Sequence, residues 1–323
     1  MSNIIKSSSI YLFSGILNKG IPFLLLPILT AYLSPEEYGI LSIFQYIIFF
    51  FLAFIGMNMS VNISKNFFTY SKQKFSLMIG NILIILSLTT LIYFIITLGF
   101  SFFYKEIFSI PSVWVAIIPL LSFMLMINIL TKTILRNQER AYLFGVFEVV
   151  NTIINIGVTL LLLIMYNYGW YSSAFGIMVS YFIFFVISLL YMKNNGFIDL
   201  TYDKKEIKKI LKLSSPLILH VLASTLLTMS DRFFIESMID LEAVGIYSVG
   251  YTFGMIVLLF SNSFIKAWNP WFYKKLASPS NKNKKLIVKY SYLYILGILG
   301  VTFFVAIFGS YIFPYFIDEA YYQ

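Results

Sequence analysis

The chain has 323 residues, of which 59% are hydrophobic and 19% aromatic while only 11% are charged. Water-soluble domains carry about 25% charged residues, so this composition excludes one and makes the chain a polytopic membrane protein. It has no cysteine and a single histidine, His220, which excludes disulfides, thiolate nucleophiles, zinc–cysteine sites and multi-histidine metal sites; no metal or cofactor is expected.

The N-terminal stretch does not read as a cleavable signal peptide, because its apolar run continues to Ala31 and no small-residue cleavage site follows a short apolar core. Runs near the ~20 residues that a bilayer requires predict nine spans, at about 9–31, 39–63, 77–103, 112–134, 142–166, 171–192, 213–236, 244–267 and 287–316. The last contains Gly297, Gly300, Gly309 and Pro314, so its far end is expected to kink or lose regularity. The abundance of Ile, Phe, Asn, Lys and Tyr points to an AT-rich genome and so to a bacterium.

With the N-terminus in the cytoplasm, every basic residue except Lys19, Lys105, Arg232 and Lys266 falls in an inner loop or at an inner span end. The positive-inside rule demands that bias and supports nine spans in the bacterial inner (plasma) membrane. A net charge of +9 would also suit a nucleic-acid surface. Topology already explains the charge, however, and the basic loops lack interleaved aromatics, so no nucleic-acid partner is expected.

Asp199–Leu213 is the longest polar interval, and it is expected to form an amphipathic helix on the anionic inner leaflet, with Ile207, Ile210 and Leu211 turned toward lipid. It reads as the connector between two lobes, because a weak internal repeat starts again beyond it. Glu36, Gly39, Ile40 and Ser42 match Glu242, Gly245, Ile246 and Ser248 at one constant offset. The expected fold is an all-α polytopic membrane protein of about nine transmembrane helices, with one six-helix lobe (1–212) plus an incomplete second lobe of three helices (213–323).

Several spans carry polar residues at helical spacing. Lys19, with Asn18 beside it, lies about ten residues into the first span, roughly 15 Å from the end and too deep to snorkel. It is expected to face a wet cavity or a carboxylate, the alternative being a structural pair within the bundle. In the fifth span Glu148, Asn151, Asn155 and Thr159 form one stripe, fit either for substrate or ion contact or for interhelical bonding. In the seventh, His220, Ser224, Thr228 and Asp231 share a face, with Arg232 one step round. His220 reads more simply as a satisfied buried histidine than as a proton relay. Arg232 either serves a cavity or snorkels outward. Adjacent residues on a helix point ~100° apart, so Asp231 and Arg232 each need another partner. Asn262, Lys266 and Asn269 share a face of the eighth span, with Lys266 at the border. There is no P-loop and no nucleophile–base–acid set, which excludes ATP hydrolysis by this chain and argues against an enzyme.

The string Leu33-Ser34-Pro35-Glu36-Glu37-Tyr38-Gly39, together with Asp231-Arg232-Phe233-Phe234-Ile235 and Val244-Gly245-Ile246-Tyr247-Ser248, resembles the polysaccharide (O-antigen and capsule repeat-unit) flippases. These belong to the multidrug/oligosaccharidyl-lipid/polysaccharide exporter superfamily. The resemblance implies two six-helix lobes that move an undecaprenyl-diphosphate-linked oligosaccharide between leaflets by alternating access. A cation-lined cavity would receive the diphosphate and sugars, and a polysaccharide polymerase and other assembly proteins would be partners. Lys19, Asn18, Asn151, Asn155 and Arg232 are the residues of this chain that fit the cavity, and Glu148 and Asp231 those that fit ion or proton coupling. The chain departs from the family in supplying three spans of the second lobe.

A diphosphate does not cross ~30 Å of hydrocarbon unaided, so a polar path with cations for the head and lipid for the tail suits such a ligand. A lipid II flippase shares the architecture. A drug or cation antiporter would want an anionic cavity, and a membrane polysaccharide polymerase a large outer loop or a histidine set.

Overall fold

The structure, a computed structural model, describes Gly20 and residues 23–277 and 280–321. Among them, eight helices are long and apolar enough to cross a membrane, and a shorter apolar helix, α1 (Phe23–Tyr32), precedes them. The spanning helices are α2 (Pro35–Gly56), α4 (Lys72–Phe103), α5 (Ser112–Asn137), α6 (Ala141–Tyr166), α7 (Tyr171–Asn194), α8 (Lys204–Met238), α9 (Leu241–Ala277) and α10 (Asn281–Phe316). With α1 as the visible part of the first span, this is the nine-span, all-α architecture expected. The last helix keeps helical backbone through its glycines and Pro314 to Phe316.

The string shared with the resembled family has a local physical role. Ser34 caps α2: its hydroxyl accepts from the Glu37 amide at 3.2 Å, and its own amide donates to the Glu37 carboxylate at 3.2 Å. Pro35 occupies the first turn, where its missing N–H is no loss. The second span, expected unbroken to 63, stops at Gly56. Met57 and Asn58 adopt left-handed backbone (φ 42° and 51°), and the chain resumes as the short helix α3 (Ser60–Asn66). Asn tolerates that region better than most residues, and it was the visible cue.

A minimal β-hairpin, which the apolar periodicity does not announce, stands between α4 and α5, with β1 (Glu106–Ile107) paired antiparallel to β2 (Ile110–Pro111). Its two turn residues, Phe108 and Ser109, both have positive φ, the geometry of a primed two-residue turn that Asn-Gly normally supplies.

The segment 199–213 corrects an expectation. It does not lie on the membrane surface as a separate helix. Asp203 caps α8 by accepting from the amides of Lys205 (2.7 Å) and Glu206 (3.1 Å), and α8 then runs 35 residues without a break, so residue 212 falls inside it. Ile210 is buried, and Ile207 and Leu211 pack on the core formed by α3, α4 and α5. Their apolar stripe therefore faces protein, because a protein face satisfies the same periodicity as lipid. The residues before the cap are stitched to α4. Asn81 donates to the Thr201 carbonyl and accepts from the Asp203 amide, both at 3.0 Å, and Ser76 O accepts from the Asp199 amide at 3.2 Å. The Thr201 hydroxyl and amide both donate to Asp199 (2.7 and 3.0 Å), which lowers its carboxyl below the ordinary range. Gly80 is required there: a Cβ would run into the Asp199 carbonyl.

Two further core clusters occupy the opposite, lysine-poor end. One joins α2, α5 and α7 through Ile43, Phe44, Ile118, Trp170 and Ala174. The other joins Leu26 of α1 with Val249 and Phe253 of α9 and with Ile317 and Tyr321 beyond α10.

The repeat is visible as packing between α2 and α9. A Cβ on Gly39 would strike the carbonyl oxygen of Leu241, and a Cβ on Gly245 would strike that of Pro35. Residues 35 and 241 are repeat counterparts, as are 39 and 245, so the contact is reciprocal about a local two-fold axis. Ser42 and Ser248, a third counterpart pair, hydrogen-bond to each other at 2.9 Å.

Candidate functional site

Arg232 projects from α8 into this seam and is 2% exposed. Its Nε–H is shared between Ser42 Oγ (3.0 Å) and Ser248 Oγ (3.2 Å), and Nη1 donates to the Thr228 carbonyl at 3.0 Å. The guanidinium lies over the rings of Tyr46 (4.1 Å), Tyr251 (4.6 Å) and Tyr247 (5.2 Å). Neither ion pair found among the described residues involves it. It is thus a buried cation held by hydroxyls and aromatic faces, without a carboxylate. Such partners hold the group while leaving its charge uncancelled.

Asp231 points elsewhere, as adjacency on a helix requires: it is exposed and accepts from the Tyr247 hydroxyl at 2.7 Å. Tyr247 therefore bridges the two residues, its hydroxyl on the acid and its ring on the cation.

Arg232 faces a cavity of about 590 Å³ that also receives Gln45 and Tyr46 of α2, Asn151 and Asn155 of α6 and Tyr251 of α9. The fold thus brings three of the predicted cavity residues, Asn151, Asn155 and Arg232, to one space. Gly20, next in sequence to Lys19, lines the same cavity. Lys19 and Asn18 themselves lie outside the described residues, as do the side chains of Asn262, Lys266 and Asn269. Part of the α6 stripe also serves packing: Thr159 donates to Asn155 Oδ1 at 3.4 Å, and Gly176 lets α7 approach this pair so closely that a Cβ would clash.

The remaining predicted residues separate from the cavity. Glu148 pairs with Lys132 of α5 at 2.5 Å toward the lysine-rich end. His220 is exposed on α8 rather than buried. Ser224 and Thr228 line a smaller space of about 210 Å³ that shares Tyr46 and Phe49 with the cavity. Tyr46, Tyr251 and Gln45 were not singled out from sequence. In a chain with 24 tyrosines nothing marks these two, whereas Ser42 and Ser248 were already flagged by the repeat.

At the lysine-poor end the seam is closed by two clasps between the repeat halves. Ser109 at the hairpin tip donates to Glu236 of α8 at 3.0 Å, and Phe108 packs edge-on against Phe233 at 4.8 Å. From the other half, Tyr321 donates to the Leu33 carbonyl at 2.8 Å and meets Tyr38 edge-on.

Residues 4–275 match the family described as polysaccharide biosynthesis protein. An uncharacterized membrane protein of Haemophilus influenzae is 27% identical over 289 residues, which cover 88% of this chain and 69% of the relative. A protein of the Lsg locus of the same organism is 27% identical over 292 residues, with the same coverage. Among solved structures, the inward-facing conformation of a multidrug resistance MATE family transporter of the MOP superfamily superposes with a TM-score of 0.67 at 14% identity, covering 91% of this chain and 70% of that one. The chain therefore belongs to the polysaccharide biosynthesis protein family and shares the fold of that solved structure.

Proposed function

We propose that the protein moves an undecaprenyl-diphosphate-linked oligosaccharide repeat unit from the cytoplasmic to the outer leaflet of the bacterial inner membrane, for assembly of a surface polysaccharide such as O-antigen or capsule. The observation that carries this reading is Arg232. Three of its five N–H groups have no acceptor among the described residues, and it sits in a cavity whose walls mix amides, hydroxyls and tyrosine rings with apolar side chains such as Phe23, Leu29 and Met255. An anion offsets the charge, and amides and aromatic faces suit sugar hydroxyls and C–H faces. Lys19, with Asn18, is a further cation for the same head group. The lysine-rich end faces the cytoplasm in this reading, and the lobes 1–212 and 213–323 rock about the seam, releasing the clasps in turn. The product would pass to a polysaccharide polymerase and other assembly proteins.

A cation antiporter fits less well, because the acids Asp231 and Glu148 lie outside the cavity that holds the cation. Asp231 is the better placed of the two for ion or proton coupling, since Glu148 already has Lys132. A lipid II flippase would use the same cavity and differs only in the sugars bound. The test is binding of an undecaprenyl-diphosphate-linked oligosaccharide to the purified chain in nanodiscs. Arg232→Gln should weaken it about tenfold or more, the value of one or two charge-assisted hydrogen bonds. Unchanged affinity, with the fold intact, would remove Arg232 as the anchor.

A further inference from the structure

We infer that the apolar cleft between α2, α4 and α8 is the seat of the substrate's polyprenyl chain, an inference that rests on the reading of the cavity just given. The cleft encloses about 720 Å³ and is lined almost wholly by hydrocarbon, with Phe50 and Phe51 from α2, Ile96 and Phe100 from α4, and Leu226 and Met229 from α8. Ile107 and Phe108 of the hairpin close its lysine-poor end, where Phe108 and Ser109 are clasped to α8.

Its position relative to Arg232 selects the occupant. Cleft and cavity lie on opposite faces of α2 and on adjoining faces of α8. Along α2, Gln45, Tyr46 and Phe49 face the cavity while Ile47, Phe50 and Phe51 face the cleft. Along α8, Arg232 faces the cavity, whereas Met229 and Phe233 face the cleft. The 210 Å³ space lined by Tyr46, Phe49 and Ala53 of α2 and by Ser224, Thr225 and Thr228 of α8 follows the cavity side of the same seam. An anionic head at Arg232 therefore has a hydrocarbon seat about one helix diameter away, roughly 10 Å, with only the α2–α8 contact between them. A lipid with its diphosphate in the cavity has its tail at this seam. A phospholipid also carries an anionic phosphate, but a single one, so a diphosphate engages more of the free guanidinium N–H groups and competition by phosphatidylglycerol tells the two lipids apart. Branched, unsaturated isoprene units also fill a wide, phenylalanine-lined cleft better than one linear chain, since a loose fit forfeits dispersion contacts.

The experiment is site-directed photocrosslinking of the full chain in phosphatidylethanolamine–phosphatidylglycerol vesicles, with radiolabelled undecaprenyl diphosphate as the probe. A benzophenone side chain is placed at Phe100, in the cleft, or at Phe182, a lipid-exposed control on α7. Labelling at Phe100 should exceed that at Phe182 by about tenfold, the excess coming from the tether of the head group at Arg232 and from packing against the phenylalanines, since the tail leaves lipid and not water. Excess unlabelled undecaprenyl diphosphate should abolish it, and an equal excess of phosphatidylglycerol should not. Filling the cleft with Met229→Trp should lower it, and Arg232→Gln should remove the preference for position 100. Equal labelling at both positions, or equal competition by phosphatidylglycerol, would overturn the inference. The two readings also fail differently. Specific labelling at position 100 that survives Arg232→Gln keeps the cleft and removes the cation anchor. Arg232-dependent binding of the diphosphate without labelling at position 100 keeps the anchor and removes the cleft.

Discussion

Ser42 and Ser248 stand 206 residues apart in the chain and 2.9 Å apart in space, each the counterpart of the other in the internal repeat. Both accept from the same Nε–H of Arg232. One hydroxyl can therefore cover for the loss of the other. Ser42→Ala or Ser248→Ala alone should cost about 1 kcal/mol, and the double substitution clearly more than the sum, since neighbours sharing a partner are not additive. Thermal unfolding in detergent micelles reads this; strict additivity would mean that the two serines do not share the guanidinium.

Gly39 and Gly245 make the reciprocal backbone contacts of α2 and α9, and a methyl at either strikes a carbonyl that cannot rotate away. Gly39→Ala and Gly245→Ala should each destabilise by roughly 1–3 kcal/mol and by similar amounts, because the environments are related by the repeat. Gly99, with open space around its Cβ position, is the control. There the same substitution should stabilise slightly, by up to ~1 kcal/mol of helix propensity.

Arg232→Lys keeps the charge but presents a single ammonium in place of a planar fork. It cannot hold both serines and the Thr228 carbonyl while leaving two parallel donors for an anion. The expected outcome is normal membrane insertion with head-group binding reduced to nearly the level of Arg232→Gln. Binding close to wild type would show that a point charge suffices.

The orientation proposed here is open to a direct assay, since the chain has no native cysteine. Cysteines replacing Lys204, at the start of α8, and Asp240, between α8 and α9, should react with an impermeant maleimide from opposite sides. Reaction of both from outside intact cells would refute the arrangement.

The spans were legible because a membrane helix requires a long apolar run, which composition alone displays. The separate destinations of Asp231 and Arg232 followed from the ~100° step between helical neighbours. Other features were illegible for identifiable reasons. Strands of two residues, as in the hairpin at 106–111, are too short for alternation to register. The stripe of Ile207, Ile210 and Leu211 has a period that reports an apolar neighbour without naming it, and so lipid was expected where α3 and α4 stand. Tyr46 and Tyr251 could not be separated from the other aromatics, because their importance comes from a helix pairing some 200 residues away in sequence. Gly39 and Gly245 carry that information in the sequence as a repeat, and only the fold turns the repeat into a contact.

The unbroken course of α8 has a mechanical consequence. Its foot is fixed beside α4 through Asp203 and Ile210, and Arg232 lies 22 residues further along the same helix, about 33 Å at 1.5 Å per residue. A tilt of only ~5° about that foot carries the guanidinium roughly 3 Å sideways, as far as a whole hydrogen-bond length. Arg232 would then leave Ser42 and Ser248 together, at the moment the hairpin lets go of Glu236. In the proposed reading, a lever of this length converts a small adjustment at the lysine-rich end into release of an anion held by Arg232, with Pro216, between the foot and the guanidinium, the place where the helix itself can give.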